Sequence, residues 1–147
     1  MSVEEMYREV ILDHYRKPRH AGEVVDADAT IEGNNPMCGD ELVLTLRYEG
    51  DVVADAAVTG SGCSISQASA SMMTDAIIGK STEEVGDLVH RFKAMMTIDE
   101  GDPGLDAERP GAVLGDIEAL QGVKKFPVRI KCADLAWTAL EEALAER

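Results

Sequence analysis

The stretch that decides the fold covers residues 42–58 and reads LVLTLRYEGDVVADAAV. Apolar residues occupy every second position at its start, with Thr45 and Arg47 between them, and this period of two is typical of a half-buried strand. Residues 49–51 (Glu-Gly-Asp) have the composition of a tight turn, and the apolar residues resume at Val52. The pattern predicts a β-hairpin whose second strand covers 52–58 and is broken by the Gly-rich residues 59–62.

Helical patterns lie on both sides of this hairpin. The spacing of apolar residues predicts helices over 3–16, 64–78 and from about Cys132 to Ala145. Ser2 is a suitable N-cap for the first of these, and Ser81 with Glu84 forms a capping-box signature for another helix. Upstream of the hairpin, residues 29–32 are predicted to be extended and residues 33–36 to form a turn. Downstream, a short helical piece over 116–120 is predicted to precede a basic, partly extended segment over 122–130.

These elements predict an α+β fold, a small three-stranded antiparallel sheet packed by about five helices. We expect one domain over residues 1–147, because a chain of 147 residues can bury one core and contains no linker-like segment. Gly, Pro and acidic residues concentrate in 99–115, which we interpret as an inserted loop.

The charge of the chain excludes several classes of partner. The formal net charge is −14, and a polyanion repels nucleic-acid phosphates and anionic membrane surfaces. Apolar runs are too short for a membrane span, and the acidic N-terminus does not resemble a signal peptide. We therefore expect a cytoplasmic protein with reduced thiols, and neither nucleic acid nor membrane as a partner.

The three cysteines are the residues with the clearest chemical potential. Cys38 follows a predicted turn, whereas Cys63 and Cys132 are predicted to start helices, where the helix dipole favours a thiolate. Residues at the ends of elements can meet at one end of a domain and remain accessible. Spacing alone leaves two readings open, a metal or sulfur site and small buried side chains. The isolated histidines His14 and His90 are expected on helix surfaces or half-buried.

Three segments carry a family resemblance. Residues 33–40 read GNNPMCGD, residues 60–73 read GSGCSISQASASMM, and residues 7–19 read YREVILDHYRKPR. Together they resemble the IscU/SufU family of iron–sulfur cluster assembly proteins, also called NifU N-terminal domain-like, along nearly the whole chain. The resemblance implies an IscU/SufU-like fold and identifies the metal or cluster ligands as Cys38, Asp40, Cys63 and Cys132.

Three departures from scaffold-type IscU proteins resemble the SufU branch of this family. Lys131 precedes the third cysteine, where IscU proteins have histidine, and residues 125–129 read KFPVR in place of a Leu-Pro-Pro-Val-Lys segment. In addition, 68 residues lie between Cys63 and Cys132, more than in IscU proteins.

Membership of the SufU branch implies a zinc-dependent sulfurtransferase that accepts persulfide sulfur from a SufS-type cysteine desulfurase and activates it. Three thiolates and one carboxylate suit Zn²⁺, and Arg129 and Lys131 would offset part of the negative charge. Asp40, next to Cys38 on a mobile turn, is expected to be the ligand that loosens most easily. In that picture a histidine of the desulfurase takes a zinc position, and the freed thiolate, which we assign to Cys38, attacks the persulfide.

Two other functions compete with sulfur transfer. One is an IscU-type scaffold on which a transient [2Fe–2S] cluster is built and handed on. The other is a structural zinc domain that serves as an interaction module. The SUF scaffold complex is a second candidate partner. In the sulfur-transfer reading the protein acts with a desulfurase and is not a stand-alone enzyme.

Overall fold

The fold was analysed in a computed structural model, which describes residues 2–37 and 39–147. Its elements, in chain order, are α1 (Val3–Arg16), β1 (Ala29–Asn35), β2 (Asp40–Glu49), β3 (Val52–Ser61), α2 (Ser64–Ile77), α3 (Thr82–Met95), a 3₁₀ helix (Gly115–Val123) and α4 (Pro127–Ala145). The strands form one antiparallel sheet in the order β1-β2-β3. Across the described residues, three strands and five helices confirm the predicted α+β class. Among the same residues, no helix is long and apolar enough to cross a membrane.

Several local predictions are confirmed. The hairpin places Leu42, Leu44 and Leu46 in the core, as the alternation indicated. Ser2 caps α1 by accepting a hydrogen bond from the Glu5 backbone N–H at 3.1 Å. Ser81 and Glu84 form the predicted capping box at the start of α3, with both hydrogen bonds at 3.1 Å.

Both outer strands of the sheet, β1 and β3, extend further than the sequence predicted. Residues 33–35 belong to β1 and not to a turn, and Gly33 pairs with Leu42. Likewise, β3 continues through the Gly-rich residues to Ser61, with Gly60 opposite Leu42. A side chain on Gly60 would collide with the Glu41 carbonyl of the neighbouring strand, so glycine here permits the close approach of the two backbones.

The last helix begins earlier than predicted. Residues 122–130 are not extended, because the 3₁₀ helix ends at Val123 and α4 starts at Pro127. Proline suits this first helical position, since its missing N–H would have no intrahelical partner there. The start of α4 at Pro127 changes the environment of Cys132, as described below.

The core lies between the sheet and the helices that cover it. Trp137 of α4 is fully buried and stacks on Phe92 of α3, with ring centroids 4.4 Å apart and planes 9° from parallel. Helices α2 and α4 pack against each other and against the sheet, and α4 also packs against α3.

The predicted loop is anchored by a buried carboxylate. Glu118 of the 3₁₀ helix is 2% exposed, and its two oxygens accept backbone hydrogen bonds from Gly111, Val113 and Leu114. The chain over 96–114 runs as turns, bends and irregular backbone between α3 and the 3₁₀ helix. The sequence did not reveal this anchor, because an isolated glutamate usually lies on the surface. The inserted-loop boundaries at 99–115 remain a prediction.

His14 is buried, contrary to the prediction. It is 1% exposed, and its ring nitrogens lie 2.8 Å from Ser71 Oγ and 2.8 Å from Asp116 Oδ2. Ser71 Oγ also accepts a hydrogen bond from the Arg19 backbone N–H. This chain of hydrogen bonds joins α1, α2 and the 3₁₀ helix and satisfies a polar ring that would otherwise be costly to bury.

Candidate metal centre

Three of the four predicted ligands meet in the folded chain. One ligand atom from each of Asp40, Cys63 and Cys132 lies within 4.8 Å of the other two. These residues come from β2, the start of α2 and the interior of α4. The fourth predicted ligand, Cys38, lies outside the residues that the structure describes.

Asp40 is held firmly by its surroundings. It is the first residue of β2, pairs with Asn35 across the sheet and is fully buried. Its Oδ1 accepts a hydrogen bond from the Cys63 backbone N–H at 2.8 Å. The prediction of a mobile turn position is therefore wrong for Asp40. One carboxylate oxygen is engaged by the backbone, whereas Oδ2 lies 3.8 Å from the Cys63 sulfur and could serve as a ligand.

Cys63 lies at the helix N-terminus that the sequence predicted. It is the N-cap residue of α2 and is partly exposed. The preceding Gly62 has no side chain, and a Cβ there would collide with Asp40 Oδ1 and lie 2.8 Å from Ser66 Oγ. Glycine at this position thus allows the Cys63 N–H to reach the carboxylate.

Cys132 is placed differently from its prediction. It is the sixth residue of α4 and only 3% exposed, within the hydrophobic core. The prediction that it starts a helix and is accessible is therefore wrong. The signal was present in the sequence, since Pro127 is a typical first helical residue.

The helix that carries Cys132 is tied to α3 by Lys93, which pairs with two acidic residues of α4. Lys93 of α3 is 7% exposed, with Nζ 3.7 Å from Asp134 Oδ1 and 3.3 Å from Glu141 Oε1. Burial raises the pKa of the Asp134 carboxyl above its ordinary value, and the attraction of Lys93 opposes this only in part. The pairing limits the freedom of α4 near Cys132.

The donor set fits a tetrahedral zinc ion. Zinc is held at about 2.3 Å by thiolate sulfur and about 2.1 Å by carboxylate oxygen, which places such donors about 3.6 Å apart on a tetrahedron. The 3.8 Å between Cys63 Sγ and Asp40 Oδ2 is close to this value. The anchored Oδ1 leaves one oxygen to bind, as a monodentate ligand does. Asp40, Cys63 and Cys132 could therefore hold zinc, with one position left for a further ligand.

Arg129 and Lys131 lie on the first turns of α4, and both are exposed. The Arg129 guanidinium lies 4.9 Å from the centroid of the Phe126 ring, and Lys131 Nζ lies 3.8 Å from Met37 Sδ. Together with Lys124 and Lys125 they form a positively charged surface, which we call the cationic rim. No Asp or Glu occurs in the 15 residues 119–133 that contain it. Exposed Phe126 and Val128 add apolar surface to this rim.

The chain matches a known protein family over most of its length. The family model for the NifU-like N terminal domain matches residues 6–133. The chain belongs to this family. Its resemblance to the SufU branch is also supported, since it is 50% identical to the zinc-dependent sulfurtransferase SufU of Bacillus subtilis strain 168, over 99% of this chain and 93% of that protein.

Scaffold proteins are also among the relatives in the NifU-like N terminal domain family. The chain is 45% identical to the iron–sulfur cluster assembly scaffold protein IscU of Streptococcus pyogenes serotype M1, over 95% of this chain and 82% of that one. A crystal structure of a Fervidobacterium islandicum AW-1 SufU, described as a scaffold protein for the SUF system, superposes with a TM-score of 0.81. That match has 37% identity and covers 92% and 94% of the two chains. These likenesses confirm the predicted family and the IscU/SufU-like fold.

The sequence-based predictions missed four polar residues that are buried in the interior of α2. Ser66, Ser69, Ser71 and Thr74 are all buried, on a helix that is covered on most sides. A buried hydroxyl normally has a hydrogen-bond partner, so four of them in one buried helix indicate contacts to other elements. The high Ser and Ala content of residues 64–71 was the available signal.

Proposed function

We propose that this protein is a zinc-dependent sulfurtransferase that accepts persulfide sulfur from a SufS-type cysteine desulfurase and thereby activates it. The observation that carries the proposal is the meeting of Asp40, Cys63 and Cys132 within 4.8 Å of one another at a largely buried position. Sulfur and oxygen donors in this number suit zinc, whose role when bound is to hold thiols in the thiolate form. The 50% identity to a sulfurtransferase that is zinc-dependent by name supports this assignment.

We assign the fourth ligand and sulfur acceptor to Cys38. It lies two residues before Asp40 in the chain, so it is within reach of the same site. Of the other two cysteines, Cys132 is 3% exposed and unsuited to meet a partner's persulfide. Cys63 is held at the N-cap of α2 by its backbone hydrogen bond to Asp40. Those two residues are better suited to hold a metal throughout the reaction.

The sulfur-transfer step balances as a thiolate exchange. The Cys38 thiolate attacks the outer sulfur of the desulfurase persulfide, and a new sulfur–sulfur bond forms on Cys38. The sulfur–sulfur bond of the desulfurase persulfide breaks, and its electron pair leaves with the desulfurase thiolate. The desulfurase is thereby returned to the state that can react with another cysteine, which is how acceptance of sulfur would raise its turnover.

The cationic rim is a suitable docking surface for that partner. In a chain of formal charge −14, four of the 14 Lys and Arg residues lie within residues 124–131, beside the metal ligands. Arg129 and Lys131 would also offset the negative charge that three thiolates and a carboxylate retain around a divalent ion. Exposed Phe126 and Val128 supply apolar contact area within the same surface.

The composition of the protein purified without air tests the proposal. We expect about one zinc ion per chain and little iron or acid-labile sulfide, because the S₃O donor set suits zinc. The competing function, a scaffold for a [2Fe–2S] cluster, is favoured by the relatedness to scaffold-named IscU proteins. A stoichiometric iron–sulfur chromophore with zinc absent would establish the scaffold function instead.

The role of the rim has its own test. Arg129→Glu should lower the stimulation of a SufS-type desulfurase about tenfold or more, with the loss growing at low salt, because a charge reversal at an interface replaces attraction by repulsion. Zinc content should stay unchanged. Arg109→Glu makes the same change of charge on an exposed residue outside the rim and should leave stimulation near the wild-type level. Equal losses in both variants would show a general charge effect and contradict docking at the rim.

A further inference from the structure

We propose that Ser69 is a positioning residue of the metal centre, because its hydroxyl fixes the helix that carries Cys63 against the helix that carries Cys132. The inference rests on the proposed function, since it assigns a role in holding zinc. Ser69 lies in the middle of α2 and is fully buried.

The hydroxyl of Ser69 makes two hydrogen bonds to α4. It donates to the backbone carbonyl of Ala133 at 2.6 Å, and it accepts from the indole Nε1–H of Trp137 at 3.0 Å. Ala133 is the residue directly after Cys132. One oxygen atom thus contacts both the backbone next to a ligand and a side chain one turn further along the same helix.

These two contacts restrain the distance between the two ligand-bearing helices. The hydrogen bond to Ala133 restrains the position of α4 along its axis relative to α2. The hydrogen bond from Trp137 restrains the rotation of α4 about that axis. Trp137 is itself held by its stacking on Phe92. Metal sites require their ligands within about 0.5 Å of the binding geometry, and the surrounding residues hold the ligands there by packing and hydrogen bonds. Loss of the hydroxyl would let Cys132 shift away from Cys63 and Asp40.

Ser71 provides a matched control on the same helix. It is 2% exposed, and its hydroxyl likewise has two partners, His14 and the Arg19 backbone N–H. These partners lie on α1 and in the segment after it, not on α4. Ser71→Ala therefore removes a buried hydroxyl of the same kind without loosening the contact between α2 and α4.

The experiment compares Ser69→Ala and Ser71→Ala in the full-length zinc-loaded protein. Zinc affinity is measured by competition with a chelating indicator, and the melting temperature of each metal-free variant is recorded alongside. We expect Ser69→Ala to weaken zinc binding about tenfold, the lower end of the effect of losing a group that hydrogen-bonds a ligand directly, because Ser69 acts through the residue next to Cys132. Ser71→Ala should change the affinity by less than about threefold, although both variants should melt at lower temperature.

Cobalt substitution adds a readout that a merely structural residue would not affect. The visible absorption bands of bound Co²⁺ depend on the coordination geometry, so Ser69→Ala should shift or weaken them relative to wild type and Ser71→Ala. Equal zinc affinities and equal cobalt spectra in the two variants would overturn the role of Ser69. A wild-type protein that binds no zinc would instead overturn the proposed function itself.

Discussion

Replacing Cys132 by serine is expected to remove zinc from the protein and to lower the affinity by more than about a hundredfold. Loss of an outer-shell partner alone costs about 10–100-fold, and a direct thiolate ligand contributes more. Cys63→Ser should have the same effect, because its sulfur is a member of the same cluster.

The loss of zinc should also appear in the stability of the fold. A ligand present at about 100 times its Kd stabilises the folded state by about 2.7 kcal/mol, which in a chain of this size corresponds to roughly 5–10 °C in melting temperature. Chelation should lower the melting temperature of the wild-type protein by that amount. It should change the melting temperature of Cys132→Ser little, because that variant is expected to hold no zinc before chelation. An unchanged melting curve in metal-free wild-type protein would contradict a role of the metal in stability.

Asp40 has two roles, as a metal ligand and as the acceptor of the Cys63 backbone hydrogen bond. Measurements of zinc affinity on Asp40→Asn and Asp40→Ala separate these roles. Asparagine keeps an oxygen that can accept the hydrogen bond from the Cys63 backbone N–H, whereas alanine leaves that buried donor without its present partner. Both variants lose the carboxylate ligand and should retain part of the zinc on three sulfurs, with a water in the fourth position. Asp40→Ala, which also loses the acceptor of the Cys63 hydrogen bond, should retain less zinc than Asp40→Asn. Asp55→Ala on β3 changes a carboxylate outside the cluster and should leave zinc binding unchanged.

Cys38→Ser is expected to lower the rate of sulfur acceptance by several orders of magnitude, as in enzymes that lose their nucleophile. A serine hydroxyl is a poor nucleophile without a dedicated base, whereas a thiolate attacks persulfide sulfur directly. The fold should survive, because the substitution exchanges sulfur for oxygen in a side chain of similar size. Circular dichroism and melting curves recorded beside the desulfurase assay check this. Sulfur acceptance at the wild-type rate would contradict the assignment of Cys38.

Much of the fold was predictable because its signals are local. The alternation from Leu42 to Leu46 and the caps at Ser2 and Ser81 each depend on residues within a few positions, and all three are confirmed. Glycine was misleading in two places. The sequence favoured a turn at Gly33 and a strand break at Gly60, but both residues lie inside strands, where close approach of a neighbouring group favours a residue without a side chain.

The site was less predictable from local patterns, because its ligands come from distant parts of the chain. Asp40, Cys63 and Cys132 converge only after β2, α2 and α4 have packed, and spacing alone left a core role for the cysteines open. The family resemblance supplied the ligand set. It did not supply the environments, and Cys132 proved to be buried inside a helix whose true start is Pro127.

The most direct test of the central claim is to locate the transferred sulfur. The zinc-loaded protein is mixed with a SufS-type desulfurase and cysteine, and the modified residue is identified by mass spectrometry after the thiols are blocked. Our account predicts a persulfide on Cys38, with Cys63 and Cys132 unmodified. A persulfide on Cys132 with Cys38 unmodified, or no persulfide on any of the three, would contradict it.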